Sequence, residues 1–172
     1  MGLDFRGADL SGGDFSECWF TECVLSDVAL RETVFYRADL EAADLSGADL
    51  TGANLIRANL DEAVVRGARL DGADMTRASL YEADASGATF RGRYLGGSSL
   101  LQVDLRGADL TNAAVLENSF KVKVDECTVF AGLSGTVFGP VEYWEGGSAT
   151  QVGGRALEEW LAERGAEVRV LS

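Results

Sequence analysis

Residues 38–60 read "ADLEAADLSGADLTGANLIRANL", five successive statements of Ala, then Asp or Asn, then Leu, each followed by two variable residues. A period of five suits no regular element. On a helix, at about 100° per residue, successive leucines would walk about 140° around the cylinder and form no face. On a straight strand an odd period throws alternate leucines to opposite sides. The period does fit a chain that turns a corner every five residues. Leu and the Ala two residues before it then both point inward, and the remaining residues face out.

The pattern extends in both directions from this stretch. Its centre is Leu or Phe at almost every position divisible by five from Phe5 through Phe120, with Val65, Met75, Ala85 and Val115 as mild exceptions. The second residue after each centre carries a longer rhythm: Gly47, Gly52, Arg57, Glu62, then Gly67, Gly72, Arg77, Glu82. The rhythm returns after 20 residues, so a coil has four corners. Glycine at two of them suits tight turns, since it tolerates positive φ. These spacings predict a four-sided β-solenoid whose coils stack about 4.8 Å apart, the spacing of a β-ladder.

Tandem A-[DN]-L-x-x resembles the pentapeptide-repeat family, whose fold is a right-handed quadrilateral β-helix. The match covers residues 3–120 without a register slip and continues to about 138. It implies an all-β solenoid of about six to seven coils over residues 1–138, followed by a cap or dimerisation segment over 139–172. The register breaks near "KVKVDECTVF", where Asp125 takes the centre position, and resumes as "TVF" at 128–130 and 136–138. Arg93 occupies an inward small-residue slot and predicts a local bulge. Cys18 and Cys23 fall in the same kind of slot and are expected to pack as small apolar side chains.

Composition narrows the chemistry. The 172 residues carry a net charge of −13 and not one histidine, which removes the commonest general base and metal ligand. Three cysteines, Cys18, Cys23 and Cys127, form neither a disulfide framework nor a CxxC pair. No nucleophile elbow, phosphate-binding loop or dinucleotide fingerprint occurs. The expectation is a protein with no catalytic, cofactor or metal site. The acidic balance argues against direct nucleic-acid binding, which needs Lys and Arg to displace counterions. With no basic-then-apolar start and no long apolar run, a cytoplasmic, non-membrane protein is expected.

The 20-residue period assigns each charge to a wall. Three walls are mixed: one stacks Arg37, Arg57 and Arg77, and two pair aspartates such as Asp44, Asp84, Asp49 and Asp109 with arginines. The fourth wall comprises residues 18–22, 38–42, 58–62, 78–82 and 98–102. It carries Glu22, Asp39, Glu41, Asp61, Glu62 and Glu82 with no Lys or Arg, together with Trp19 and Tyr81. Like charges one strand apart repel. Two readings stand: an acidic ladder offered to a cationic groove, or glutamates paired with Arg57 and Arg77 across a corner in weak surface ion pairs.

From about Gly139 the repeat stops. "GGRALEEWLAERG" (153–165) reads as a short helix ending at Gly165, with Leu157, Trp160 and Leu161 as its apolar stripe. "AEVRVLS" then alternates as a strand does. A solenoid end needs cover, so the stripe either caps the last coil or forms a homodimer interface, and the two are compatible.

A bare first coil with a C-terminal helical segment is similar to one branch of the family: bacterial proteins that bind DNA gyrase and protect it from quinolones or other topoisomerase poisons. The resemblance implies a C-terminally joined dimer whose acidic surface imitates DNA, with gyrase or topoisomerase IV as partner. The long projecting loops of some members are absent here. The alternative is a solenoid adaptor that binds another protein without imitating DNA.

Overall fold

The computed structural model describes residues 2–92 and 94–171. Arg93, expected to mark a bulge, lies outside the described residues. Four columns of parallel bridges run up the solenoid, joining residues 20 apart except at one step, Asp104 to Lys123. The first wall stacks Asp4, Val24, Asp44, Val64, Asp84 and Asp104; the second, Asp9 through Asp49 to Asp109 and Val129. The third begins Asp14, Val34, Asn54, Asp74, and the fourth runs Trp19, Asp39, Asn59, Ser79, Ser99, Ser119. Each step is a pair of backbone bonds: Leu25 N–H donates to Asp44 O at 2.7 Å, and Asp44 N–H to Cys23 O at 2.9 Å.

Each corner is closed by a backbone bond from the inward small residue to the preceding centre, as from Ala43 N–H to Leu40 O at 3.0 Å. This turn requires a left-handed residue two positions after the centre. Gly47 and Gly52 adopt it at φ +68° and +71°, but so do Arg57 at +60° and Glu62 at +58°. All four corners therefore need the same backbone, and glycine serves only some of them.

The core is one continuous column. Leu40, Leu45, Leu50, Leu55 and Leu60 are fully buried, with Ala43, Ala48, Ala53, Ala58 and Ala63 filling the slots beside them. Val65, Met75, Ala85 and Val115 are buried in the same positions. At the N-terminal end Phe5, Phe15, Phe20 and Phe35 interlock with ring centroids 5.5–5.8 Å apart. Leu3 is exposed and Phe5, Leu10 and Phe15 only partly covered. Cys23 is buried as expected; Cys18, in the uncovered first coil, is exposed.

The register break is a one-residue slip. Ser99 bridges Ser119, Asp104 bridges Lys123, and Asp109 bridges Val129 again at the full coil length. Around it the single-residue bridges lengthen into strands: β1 (Ala114–Ser119), β2 (Lys123–Asp125) and β3 (Ser134–Phe138). Asn118, fully buried at the slip, donates to Leu95 O at 2.5 Å and to Ser98 O at 3.0 Å.

The tail extends the walls. β4 (Val141–Glu145) pairs in parallel with β2 and turns through Gly146 and Gly147 into antiparallel β5 (Ser148–Val152). α1 (Gly154–Ala162) follows, and β6 (Glu167–Leu171) adds in parallel to β3. Gly165, at φ +81°, ends the helix as expected, with Ala166 N–H donating back to Leu161 O at 3.1 Å. Among the described residues no helix is long and apolar enough to cross a membrane.

Candidate interaction surface

The outward residues divide the walls by how their charge is balanced. On the first wall Arg66 pairs with Asp84 at 2.6 Å and Arg106 with Asp104 at 2.5 Å. On the second, Arg31 holds Asp49 at 2.5 Å and Arg91 holds Asp109 at 2.6 Å. On the third, Arg37 reaches Glu17 at 3.5 Å. Burial pushes the carboxyls of Asp49, Asp84 and Asp109 up. Hydrogen bonds from Thr51, Ser86 and Thr111 and from the arginines outweigh it and hold all three below the usual carboxylate range.

The fourth wall is organised differently. Asn59 Nδ2 donates to Asp39 Oδ1 at 3.1 Å and to Glu41 Oε2 at 3.4 Å. Asp61 accepts from Tyr81 N–H at 2.8 Å and from Ser79 Oγ. Every one of these donors is a neutral amide or hydroxyl, so the carboxylates are oriented but not neutralised. Among the described residues no ion pair engages Asp39, Glu41, Asp61, Glu62 or Glu82. In particular, the ion pairs of the second reading, from Arg57 to Glu62 and from Arg77 to Glu82, do not form among the described residues: a corner separates them and places each on a different wall.

The predicted acidic residues are thus brought onto one surface. Glu22, Glu41, Glu62 and Glu82 are exposed; Asp39 and Asp61 are half-buried between coils. Glu62 and Glu82 hold left-handed corners one coil apart, at φ +58° and +56°. Trp19, 85% exposed, stands at the N-terminal end of the same wall, directly before Asp39 in the ladder. The Tyr81 hydroxyl lies against Glu82, which with the nearby Glu62 and Asp61 raises its pKa above the usual phenol value.

One of the six has a local explanation that the sequence reading missed. Asp39 Oδ1 accepts the Glu41 N–H at 3.1 Å. The same bond recurs from Asp44 to Ser46, Asp49 to Thr51 and Asn54 to Ile56. The Asp or Asn of the repeat is therefore a turn acceptor, and Asn serves as well as Asp. The alternation of Asp and Asn at this position was the signal.

The stripe Leu157, Trp160, Leu161 docks on the chain's own last coil. Leu157 and Leu161 are fully buried, and Leu157 packs so close over Gly139 that a Cβ there would meet it at 2.7 Å. Trp160 is half-buried edge-on to Phe130 and Tyr143, centroids 5.6 and 5.3 Å away, with the Arg164 guanidinium 3.9 Å above its ring. The stripe covers the solenoid end, leaving the Trp160 edge as its part still open to solvent.

Comparison with known proteins bears on the fold. The profile of the Pentapeptide repeats family matches eight copies over residues 2–27, 18–59, 33–68 and 58–92, together just over half of the chain. No curated protein matches the sequence. Among solved structures, a trypsin-treated form of QnrB1, a plasmid-mediated fluoroquinolone resistance protein, is similar at 21% identity and a TM-score of 0.54, over 78% of this chain and 68% of that one. A pentapeptide repeat protein from the Arabidopsis thaliana thylakoid lumen is 37% identical over 63% of this chain and 69% of its own, TM-score 0.33. Rfr23 from the cyanobacterium Cyanothece 51142 is 25% identical over 74% and 88%, TM-score 0.42. The shared architecture is the right-handed β-helix.

Proposed function

Since this chain belongs to the pentapeptide-repeat family, we propose that it is a non-enzymatic interaction protein whose fourth wall imitates duplex DNA for a type II topoisomerase, DNA gyrase or topoisomerase IV. The observation that carries the proposal is the fourth wall itself. Over the coils from Asp39 to Glu82 its carboxylates form no ion pair among the described residues, and Asp39, Glu41 and Asp61 accept from neutral donors, while arginines hold Asp84 on the first wall and Asp49 and Asp109 on the second. The likeness to QnrB1 concerns the fold, and the proposal does not rest on it.

On this reading six to seven coils at about 4.8 Å form a rod of roughly 30 Å. Duplex DNA carries a charge per about 1.7 Å of axis. The wall is sparser, so it imitates a protein footprint on DNA and not a continuous duplex. Occupying the groove would modulate the enzyme in the cytoplasm, as resistance to a topoisomerase poison or as self-immunity. A homodimer joined at the tail would double the rod. With Leu157 and Leu161 taken up in the chain's own core, that contact would use the open edge of Trp160 and the surface beside it.

One observation favours a second reading. Trp19 and Tyr81 are exposed on this wall, and exposed aromatics are the commonest anchors of ordinary protein interfaces. An adaptor solenoid would bind through them without imitating DNA. Competition separates the two. A DNA mimic displaces labelled duplex from gyrase with an affinity that falls as salt rises, and loses this on Asp61→Asn/Glu62→Gln/Glu82→Gln substitution. An adaptor loses partner binding on Trp19→Ala and leaves the duplex bound. If the unmodified protein at micromolar concentration displaces no DNA, the mimicry proposal fails.

A further inference from the structure

We propose that β5 (Ser148–Val152) is the joint of a homodimer. The β5 strands of two copies pair antiparallel about Thr150, and the β2-β4-β5 sheet continues across the two-fold into the sheet of the second copy. The proposal rests on the tail-joined homodimer named above and assigns the element that joins it.

The open edge follows from how β4 hydrogen-bonds. Glu142 N–H donates to Val122 O at 2.8 Å, so Glu142 turns its backbone groups toward β2. Backbone groups alternate in direction along a strand, so Trp144 does the same. Their antiparallel partners, Gln151 and Ala149, therefore turn theirs away from β4. β5 is the last strand of its sheet. Among the described residues, no backbone bond outside the β4–β5 ladder engages Ala149 or Gln151. The strand is exposed from Ser148 through Gln151.

Two other strand edges are guarded. At β6, the Glu158 carboxylate of α1 accepts the Val170 N–H at 2.7 Å and so occupies the edge. On the first coil, Asp4, Asp9 and Asp14 stand at the bridge positions of three walls, and their like charges would repel a second copy. β5 has neither guard. Its sequence, "SATQV", contains no charge and no proline, and its register with β4 runs without a bulge.

Charge also selects the occupant. Two copies carrying −13 each repel, so they meet closely only where charge is absent, and residues 146–154 carry none. Pairing about Thr150 is the one register that matches all of β5. It sets Ser148 opposite the partner's Val152, Ala149 opposite the partner's Gln151, and Thr150 opposite the partner's Thr150. The outward groups of Ala149 and Gln151 then meet in about four backbone hydrogen bonds. Continued beyond the strand, the same two-fold directs Glu145 toward the partner's Arg155, an acid toward a base. The Arg155 side chain is 89% exposed, and its bond to Glu159 at 2.9 Å is a surface i,i+4 pair of little worth. Thr150 is the register partner of Tyr143, which packs edge-on to Trp160. The joint therefore runs beside the open edge of Trp160.

Analytical ultracentrifugation of the full-length protein tests the joint. The unmodified protein should sediment as a dimer at about 100 μM. Ala149→Pro removes an outward donor and places a ring at the seam, a change that an edge strand accepts on its solvent side. It should sediment as a monomer. Thr150→Lys sets two ammoniums face to face; it should also be monomeric, and it serves if the proline variant does not fold. Thr150→Ser should remain a dimer. Disulfide trapping tests the register, in a Cys18→Ser/Cys127→Ser background that lacks the exposed thiols. Oxidation should link Thr150→Cys into a dimer, because opposed residues of a non-hydrogen-bonded pair lie about 4.5 Å apart. Ser148→Cys should not link. A dimer that survives both Ala149→Pro and Thr150→Lys, or Ser148→Cys linking as readily as Thr150→Cys, would overturn the β5 joint and leave the homodimer standing. A monomeric unmodified protein would overturn both. Neither result bears on the fourth wall, which the supercoiling and competition assays test separately.

Discussion

At the scale of single residues, the corners show what a repeat demands and what it tolerates. Among the described residues thirteen non-glycines hold the left-handed corner conformation, each at a cost of about 1–2 kcal/mol against the right-handed one. Glycine removes that cost but loses more conformational entropy on folding, about 0.5–1 kcal/mol. Arg57→Gly should therefore stabilise the fold by about 0.5–1 kcal/mol in urea denaturation. Gly67→Ala, where no neighbour lies within 4 Å of the added Cβ, should destabilise it by about 1 kcal/mol from backbone strain alone. Acid stability follows from the same outward layer. The carboxyls of Asp49, Asp84 and Asp109 are depressed in the folded protein, so below the unfolded carboxylate pKa of about 3.9 the unfolded chain binds more protons than the folded one. Their contribution is complete above that value and is lost as pH falls through the lower folded values. Replacing the three by Asn, which keeps the turn acceptor, should flatten the dependence of unfolding free energy on pH below about 4. An unchanged slope would locate acid sensitivity elsewhere.

At the scale of elements, the inward half of the repeat was fully legible. A centre and a small residue two before it leave one solution for a period of five, and Leu40 through Leu60 are buried as that solution requires. Legibility fell where the constraint came from outside the period. The slip at Asp125 was visible, but its repair was not, because Asn118 and the 19-residue bridge from Asp104 to Lys123 satisfy backbone groups that no local pattern reveals. The β4–β5 hairpin was missed although Gly146-Gly147, a strong two-residue hairpin turn, signals it directly. The helix stripe was read correctly as apolar, but sequence cannot say whether an apolar stripe meets its own chain or another. Here Phe130, Tyr143 and Arg164 surround Trp160. Trp160→Ala should accordingly cost about 2–3 kcal/mol. Because solenoid coils contact only their neighbours, hydrogen exchange should accelerate over 154–171 and remain unchanged around Leu40 to Leu60. Uniform acceleration along the rod would show that the tail holds the whole solenoid.

At the scale of the whole molecule, the net charge of −13 is less informative than its arrangement. Arginines pair with Asp84 and Asp104 on the first wall and with Asp49 and Asp109 on the second, whereas Asp39, Glu41 and Asp61 on the fourth are oriented by neutral donors. Periodicity could assign residues to walls, but whether Arg57 and Arg77 reach Glu62 and Glu82 depends on side-chain placement across a corner, which spacing does not encode. The reading of the fourth wall as a DNA-like surface is the central claim, and gyrase supercoiling tests it most directly. The unmodified protein should inhibit supercoiling at micromolar concentration, less so as salt rises. Asp39→Asn/Asp61→Asn/Glu62→Gln/Glu82→Gln should abolish the inhibition while Asp49→Asn/Asp109→Asn, on the balanced second wall, retains it. No inhibition by the unmodified protein, or equal inhibition by both variants, would contradict the account.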